Sequence, residues 1–597
     1  MNVDEQNRRL AALRAEMAAR DLAAYLVPRS DEFQNEYVDP SSERLCWISG
    51  FTGTAGWAIV GHDSAAIFLD GRYLLQGRKQ ALAAFWEHRH IVGQPPADWV
   101  KSHLKAGDRI GFDPRLHTTA QVAAHRAALD PLGVELVAVE PNLVDAVWHD
   151  RPAPPMGPVS IYPIQLAGET SQSKRQRVAA DLSEAGLDAL VISAADNLAW
   201  LFNIRGSDLD MTPFALGYGI LSRDGSATMF MAAPKLSDAV RAELVGEGGI
   251  AIAGPEEFGA ALGKLANRKV RLDRATGSVF IADRLEQAGA TVDVGPDPTT
   301  AIKACKSAVE LDGMRRAHRQ DGVALLRFLH WFARTAPGQE TEWTAAQQLL
   351  AFRQAGEHYR SPSFGTISAA GGNAAHPHYR LEEATARPLG PDEIYLVDSG
   401  AQYLGGTTDV TRVLVTGTPT AEMRRRYTQV LKGHIAVSRA QFPAGTAGGQ
   451  LDPFARQFLW ETGVDFDHGT GHGVGCYLSV HEGPQSISKR AMEVSLKPGM
   501  VVSVEPGYYK PDAFGIRIEN LVAVRELDPQ PEGAELLTLG FETLTLAPYE
   551  RRLIERNLLT DSERAWIDAY HRIVRDALAP HLDAADAAFL DEATAPL

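Results

Sequence analysis

Cysteine is scarce in this chain, with three in 597 residues. Cys46, Cys305 and Cys476 stand far apart and form no CxxC pair, which argues against a disulfide framework and against a thiolate metal site. Cys476 reads as a small packed side chain. Positive charge is in deficit too, with a formal net charge of −16. Nucleic acid and anionic membrane both ask for a basic face, so neither is an expected partner, and the acidic surplus reads as solubility. No apolar run approaches the ~20 residues of a membrane span. The opening MNVDEQNRRLAALRAEMAAR is charged throughout and lacks the apolar centre of a secretory leader. A reducing cytoplasm is the expected compartment.

The chain is too long for one core and predicts several domains. Leu10, Leu13 and Met17 recur at helical spacing, and a strand follows at 23–27. WISGFTGTAGWAIV and AAIFLDGRYLL then read as glycine-punctuated hairpin strands. The same order returns later: an amphipathic stretch at 174–187, a strand at 189–192, then NLAWLFNIRG and GYGILSRDGSATMFM. Leu26-Val27 corresponds to Val191-Ile192, and Trp47 to Trp200. With no short period, this is a duplicated domain and not a solenoid. A proline cluster from Pro152 to Pro163 makes the linker between the copies. Ser307-Ala308-Val309-Glu310 reads as a capping box that opens a long helix, with Val309, Met314, Leu325, Leu326, Leu329 and Phe332 as its apolar positions. The expected domains are 1–157, 158–306 and 307–597. The Ala-rich end, from Asp561, reads as helix with a loose tail.

The last domain carries the chemistry. Asp398 closes the apolar run Ile394–Val397, and Glu505 follows Val501, Val502 and Val504. A carboxylate in such a strand is half-buried, and a buried charge is costly unless it is paired or binds a metal. Glu505 and Glu519 lie 14 residues apart around the turn sequence Lys510-Pro511-Asp512-Ala513, so a hairpin sets them side by side. Asp398 and Asp409 lie 11 apart around Tyr403-Leu404-Gly405-Gly406, a second expected hairpin. Four carboxylates brought together repel unless cations sit among them. With an imidazole from HGTGHGVG they form a hard, oxygen-rich ligand set that suits Mn²⁺, Co²⁺ or Zn²⁺. Spacing alone does not tell His468 from His472 as the ligand. The glycines there spell no GxGxxG, which argues against a dinucleotide site, and they suggest close backbone approach to a substrate.

VDSGAQY, GTTDVTR, HGTGHGVG, VHEGP, EPGYY and FGIRIEN, with WLFNIRGSD and DGRYLLQGRKQ upstream, resemble the signatures of the pita-bread metallopeptidases. Within them the resemblance is to the three-domain aminopeptidase P family, and it covers nearly the whole chain. It implies two creatinase-type α/β domains, the second a duplicate of the first, before an α+β pita-bread catalytic domain. It implies Asp398 on one metal, His472 and Glu505 on the other, and Asp409 and Glu519 bridging them. A metal-bridging hydroxide would attack the bond before proline, with Glu505 as proton acceptor. His378, His468 and His481 would contact substrate or handle protons. Tyr509 and Arg517 would lie at the pocket, and Arg72 would contact the peptide. A Mn²⁺-loaded cytoplasmic homodimer is the family's expectation. The run Val502-Ser503-Val504 departs from the family, whose members often carry a polar residue directly before the Glu.

Two other readings share the fold. A prolidase-like Xaa-Pro dipeptidase is usually shorter and lacks the duplicated front half, and a creatinase lacks the full ligand set. A metal-free pita-bread module would bind peptides or histones, against which the five retained ligands argue.

Overall fold

Apolar runs such as Tyr25–Val27 and Ala189–Ile192 are too short for helices and are sized for buried strands, with polar stretches such as Glu87–His90 at the sheet edges. In the computed structural model, which describes residues 2–246 and 248–597, they build two sheets of one design. The first contains β1 (Ala24–Pro28), β2 (Trp57–Gly61), β3 (Ala65–Leu69), β4 (Glu87–His90), β5 (Arg109–Phe112) and β6 (Glu135–Ala138). The second contains β7 (Ala189–Ile192), β8 (Tyr218–Ser222), β9 (Ala227–Phe230), β10 (Ile250–Ala253), β11 (Lys269–Asp273) and β12 (Thr291–Gly295). Their orders are β4-β3-β2-β1-β5-β6 and β10-β9-β8-β7-β11-β12. In both, the first strand lies antiparallel to the second and parallel to the fifth, and every remaining pairing has the same sense. Leu26 and Val191 occupy equivalent rungs, so the duplication read from the sequence is present in the topology.

Two segments differ from expectation. Trp47 lies in the helix Arg44–Ser49 and Trp200 in the helix Ala195–Leu201, where hairpin strand was expected for WISG. Leu74 and Leu75 begin the helix Leu74–Gln80. Each is a short apolar run that periodicity cannot assign, and the chain needs a helix there to cover the sheet face.

The chain divides into two units, 1–164 with 169–300 and 165–168 with 301–597. In the second, the helix Ala308–Ala333 opens on the expected capping box, with Ser307 Oγ accepting from the Glu310 N–H and Glu310 reaching back to the Ser307 N–H. Met314, Leu325, Leu326, Leu329 and Phe332 are buried, whereas Val309 is exposed. One turn along, a Cβ on Gly313 would stand 2.2 Å from the Gly405 carbonyl oxygen. Glycine there lets the helix press against the turn of the first carboxylate hairpin. The C-terminal end is not loose. Helices Asp561–Leu578 and Ala584–Ala593 pack on the core, and the Leu597 N–H donates to Asp568 Oδ1. No helix among the described residues is long and apolar enough to cross a membrane.

The helix Ala421–Ser438 packs behind the strands Val501–Val504 and Phe514–Arg517, and its His434 is fully buried. His434 Nδ1 lies 2.9 Å from the Val504 carbonyl and Nε2 lies 3.0 Å from Tyr549 Oη. Burial, then Arg412, pushes this imidazole down to about 3, and burial with Arg412, Arg551 and Arg575 does the same to His571. Unfolded, each titrates near 6.5. Between those values the unfolded chain holds more protons than the folded one, so stability is lost as pH falls through that window. From about pH 7.5 to about pH 5.5 the two imidazoles together cost about 3 kcal/mol. A change in the urea-unfolding midpoint over that range that is the same in His434→Asn as in the parent would contradict the assignment.

Candidate metal centre

Two ladders aim the four carboxylates at one place. Val501–Val504 pairs antiparallel with Asn520–Glu526, Val504 opposite Asn520. Beyond it Gly507–Lys510 pairs with Phe514–Arg517, Gly507 opposite Arg517. The two pairings share one register, which sets Glu505 opposite Glu519. The turn closes with the Ala513 N–H donating to the Lys510 carbonyl, and Asp512 takes the left-handed conformation at φ 56°. In the other ladder Ile394–Ser399 pairs with Val410–Val415, Asp398 opposite Thr411. Asp409, two residues before Thr411, is then the diagonal neighbour of Asp398 on the same face. The expected hairpins both form.

His472 enters on the short strand Gly471–His472, paired with Ser486–Ile487. Its backbone N–H donates to Ser503 Oγ at 2.9 Å, and that hydroxyl donates to Glu505 Oε1 at 3.1 Å. A Cβ on Gly471 would stand 1.9 Å from the Ser503 carbonyl oxygen, and one on Gly473 2.0 Å from that of Glu482. These glycines let the chain's own strands approach one another, which corrects the substrate-facing use expected of them.

His472 Nε2 lies 3.4 Å from Asp409 Oδ2 and 3.4 Å from Glu505 Oε1. Asp409, His472 and Glu519 each offer a donor atom within 4.8 Å of the others. Arg517 spans the edge of the cluster. It donates through Nη2 to Asp398 Oδ2 (2.6 Å), through Nη1 to Tyr509 Oη (2.6 Å) and through Nε to Thr411 Oγ1 (3.2 Å). Thr411 Oγ1 donates onward to Glu519 Oε2 at 2.7 Å. Asp398, Asp409 and Glu519 are all buried, yet Asp398 Oδ1, Asp409 Oδ1 and Glu519 Oε1 have no hydrogen-bond partner. A buried carboxylate oxygen left bare is costly, and three in one cluster fit cations.

The titration of the bare cluster says the same. Burial, followed by Asp409, Glu505 and Asp398, holds the Glu519 carboxyl well above the usual carboxylate range. Burial pushes Asp398 up, Arg517 pulls it back, and Asp409 adds to the rise. Burial opposes a charged His472, but Asp409 and Glu505 outweigh it and push the imidazole up to about 9. Protons stand in for the positive charge that this crowd of carboxylates requires.

Four predicted residues remain, three in the same unit as this cluster and one, Arg72, in the other. His468, half-buried, sets Nε2 2.8 Å from Tyr509 Oη and Nδ1 2.7 Å from the Gly469 carbonyl. Burial pushes it down to about 4, so the ring is neutral at pH 7. His481 is exposed and stands edge-on to His472, ring centroids 4.3 Å apart. His378 follows the turn Gly371–Ala375, which lies so close to the ligand hairpin that a Cβ on Gly515 would meet the Ala374 carbonyl. Arg72 belongs to the other unit, where it pairs with Asp70 at 2.7 Å and lies half-buried. Thr411 and Ser503 were not singled out from the sequence. Each sits two residues from an acid on a strand, hence on the same face, and that period was the available signal. Ser503→Ala should weaken metal retention about 10- to 100-fold, as loss of an outer partner of a ligand does. Equilibrium dialysis against Mn²⁺ measures it, and unchanged retention would remove Ser503 from the site.

Sequence families match along the chain: "Creatinase/Prolidase N-terminal domain" at 9–147 and, as a second type, 150–310; "Metallopeptidase family M24" at 312–526; and "C-terminal region of peptidase_M24" at 538–597. A probable Xaa-Pro aminopeptidase P of Pyricularia oryzae is 39% identical over 591 residues, covering 95% of each chain. The chain belongs to metallopeptidase family M24. As a family member it is a hydrolase, an aminopeptidase, with creatinase-type domains ahead of the M24 catalytic domain. A probable Xaa-Pro aminopeptidase P of Aspergillus fumigatus is likewise 39% identical, over 96% of this M24 chain and 90% of its own. Among solved structures, the X-prolyl aminopeptidase of Caenorhabditis elegans, described as a cytosolic enzyme with a di-nuclear active site, matches with a TM-score of 0.93. It is 33% identical and is covered in full, against 99% of this chain. The Xaa-Pro dipeptidase of Bacillus anthracis shares the fold over 64% of this chain, with a TM-score of 0.51 and 24% identity. Family membership and the bare oxygens together fit two divalent metal ions.

Proposed function

We propose that this chain removes the N-terminal residue from peptides whose second residue is proline, as a dinuclear metal-dependent aminopeptidase. The observation that carries the proposal is the convergence of Asp409, His472 and Glu519 within 4.8 Å from three distant stretches of sequence. Asp398 would hold one ion and His472 with Glu505 the other, with Asp409 and Glu519 between them. Two divalent ions held there lower the pKa of a water and polarise the scissile carbonyl. Mn²⁺ suits the oxygen-rich set best, ahead of Zn²⁺ or Co²⁺.

The chain's own groups do the rest. Glu505, steadied by Ser503, accepts the proton of the attacking water at its carboxylate. His481 and His378 support the charge that develops on the carbonyl oxygen. His468 is neutral and hydrogen-bonded to Tyr509, and Arg517, which donates to both Tyr509 and Asp398, holds Asp398 in place at the pocket edge. Arg72 is proposed to contact the peptide. The bond before proline is a tertiary amide with no N–H, so the substrate pocket accepts the ring and asks for no hydrogen bond there. Domains at 1–157, 158–306 and 307–597, a cytoplasmic location and a homodimer complete the proposal.

A short peptide panel tests it. With Mn²⁺ the enzyme should cleave Xaa-Pro-Xaa tripeptides at the first bond, spare Xaa-Ala-Xaa, and lose activity to a chelator. Cleavage of Xaa-Pro dipeptides with the tripeptides left whole would favour the dipeptidase reading.

A further inference from the structure

We propose that Glu482, held between Lys303 and Lys306, is a positioning residue for His481. The proposal takes the role of His481 from the metallopeptidase reading above; the geometry does not depend on it.

His481 lies on the loop that leaves His472 and returns. The neck of the loop is a backbone pairing: the Glu482 N–H donates to the Gly473 carbonyl at 2.8 Å, and the Gly473 N–H to the Gln485 carbonyl at 3.1 Å. His472 and His481 each precede one member of the Gly473–Glu482 pair, which is why their rings meet edge-on at 4.3 Å. Halfway round, the loop is fastened to the first carboxylate hairpin. Gln402 Nε2 donates to the Leu478 carbonyl (2.8 Å), the Leu478 N–H donates to Thr407 Oγ1 (3.3 Å), and Thr407 Oγ1 donates to Gln402 Oε1 (2.8 Å).

The second fastening is Glu482 itself. Its side chain turns inward and is fully buried, with Lys306 Nζ 2.6 Å from Oε1 and Lys303 Nζ 3.3 Å from Oε2. Both lysine side chains are 1% exposed. Lys306 is fixed in turn, because its N–H donates to the Gly499 carbonyl at 3.0 Å. Three buried charges are a costly way to fill a core, since apolar side chains of similar volume do so at least as well. What the trio supplies is a direction: a buried carboxylate hydrogen-bonded to Lys306 and 3.3 Å from the Lys303 ammonium limits where the preceding residue can stand. His481 is exposed and lies outside any helix or strand, and the anchored Glu482 that follows it narrows the directions its backbone can take.

The test is a double-mutant cycle of Glu482→Gln with His481→Ala, read as kcat, KM and bound metal. Glu482→Gln alone should lower kcat about 10- to 100-fold, with KM and two bound ions per chain retained. In the His481→Ala background the same change should alter kcat less than about threefold, because the group it positions is gone. An equal fold-loss in both backgrounds would overturn the proposal and leave the trio a stability element. Hydrogen exchange on the metal-free protein gives a readout apart from activity: amides of 473–485 should exchange faster in Glu482→Gln while the two carboxylate hairpins stay protected. Unchanged exchange there also overturns it. If Glu482→Gln does not fold, Lys303→Met, which keeps the closer Lys306 pair, takes its place in the same cycle, with the same results supporting or overturning the proposal. A wild-type protein that ignores Xaa-Pro peptides would sink the functional reading, while the exchange measurement would still judge the loop.

Discussion

Glu519→Gln should leave a folded protein whose kcat has dropped at least about 100-fold, beyond what loss of an outer partner of a ligand costs. Glu519 is buried opposite Glu505, accepts from Thr411 through Oε2, and keeps Oε1 bare inside the cluster. Glutamine has the same length, and its carbonyl oxygen can still accept from Thr411. What it loses is the negative charge, and it presents an N–H₂ group to any cation between Asp409 and His472. Stability should move the other way. In the metal-free chain burial, then Asp409, Glu505 and Asp398, push the Glu519 carboxyl up, so folding there requires either taking up a proton or holding an unpaired charge, and glutamine avoids both. The metal-free melting temperature should therefore match or exceed that of the parent. Falling activity with unfallen stability separates lost chemistry from lost fold. Near-normal turnover would remove Glu519 from the centre.

His481→Ala is the second large effect. The side chain is exposed, so truncating it opens no cavity, and its edge-on contact with His472 puts it beside the reacting groups. A positioned acid–base group contributes about 100- to 10,000-fold, and kcat should fall within that range. Bound metal should stay near two ions per chain, because none of the four carboxylates depends on His481 for its place in the ladders. If kcat and metal content fell together, His481 would belong among the metal-holding residues.

The parts of this molecule legible in the sequence are those set by short-range rules. A strand has a period of two, and a turn such as Lys510-Pro511-Asp512-Ala513 fixes a register. Glu505 and Glu519 could therefore be paired on paper, and so could the ladder of Asp398 and Asp409. The duplicated sheets were legible because the order of elements repeats even where side chains differ. Other features depend on what arrives from far along the chain. Val309 has an apolar side chain at a helical spacing, but it lies exposed in the first turn of its helix. Gly471 and Gly473 looked like room for a substrate; the space is filled by the backbone at Ser503 and Glu482. Lys306 and Glu482 are 176 residues apart, and no local pattern announces that they meet. Arg72 shows the opposite limit. A local partner, Asp70, accounts for its charge, so a role toward substrate has to be measured.

Metal stoichiometry on the folded wild-type protein tests the central claim most directly. After reconstitution with Mn²⁺ and exhaustive dialysis, elemental analysis should return two ions per chain, with the Glu519→Gln protein clearly short of that. A sample with intact cooperative unfolding that holds no metal would contradict the account, and the four carboxylates would then be a charged cluster without the cations that explain them.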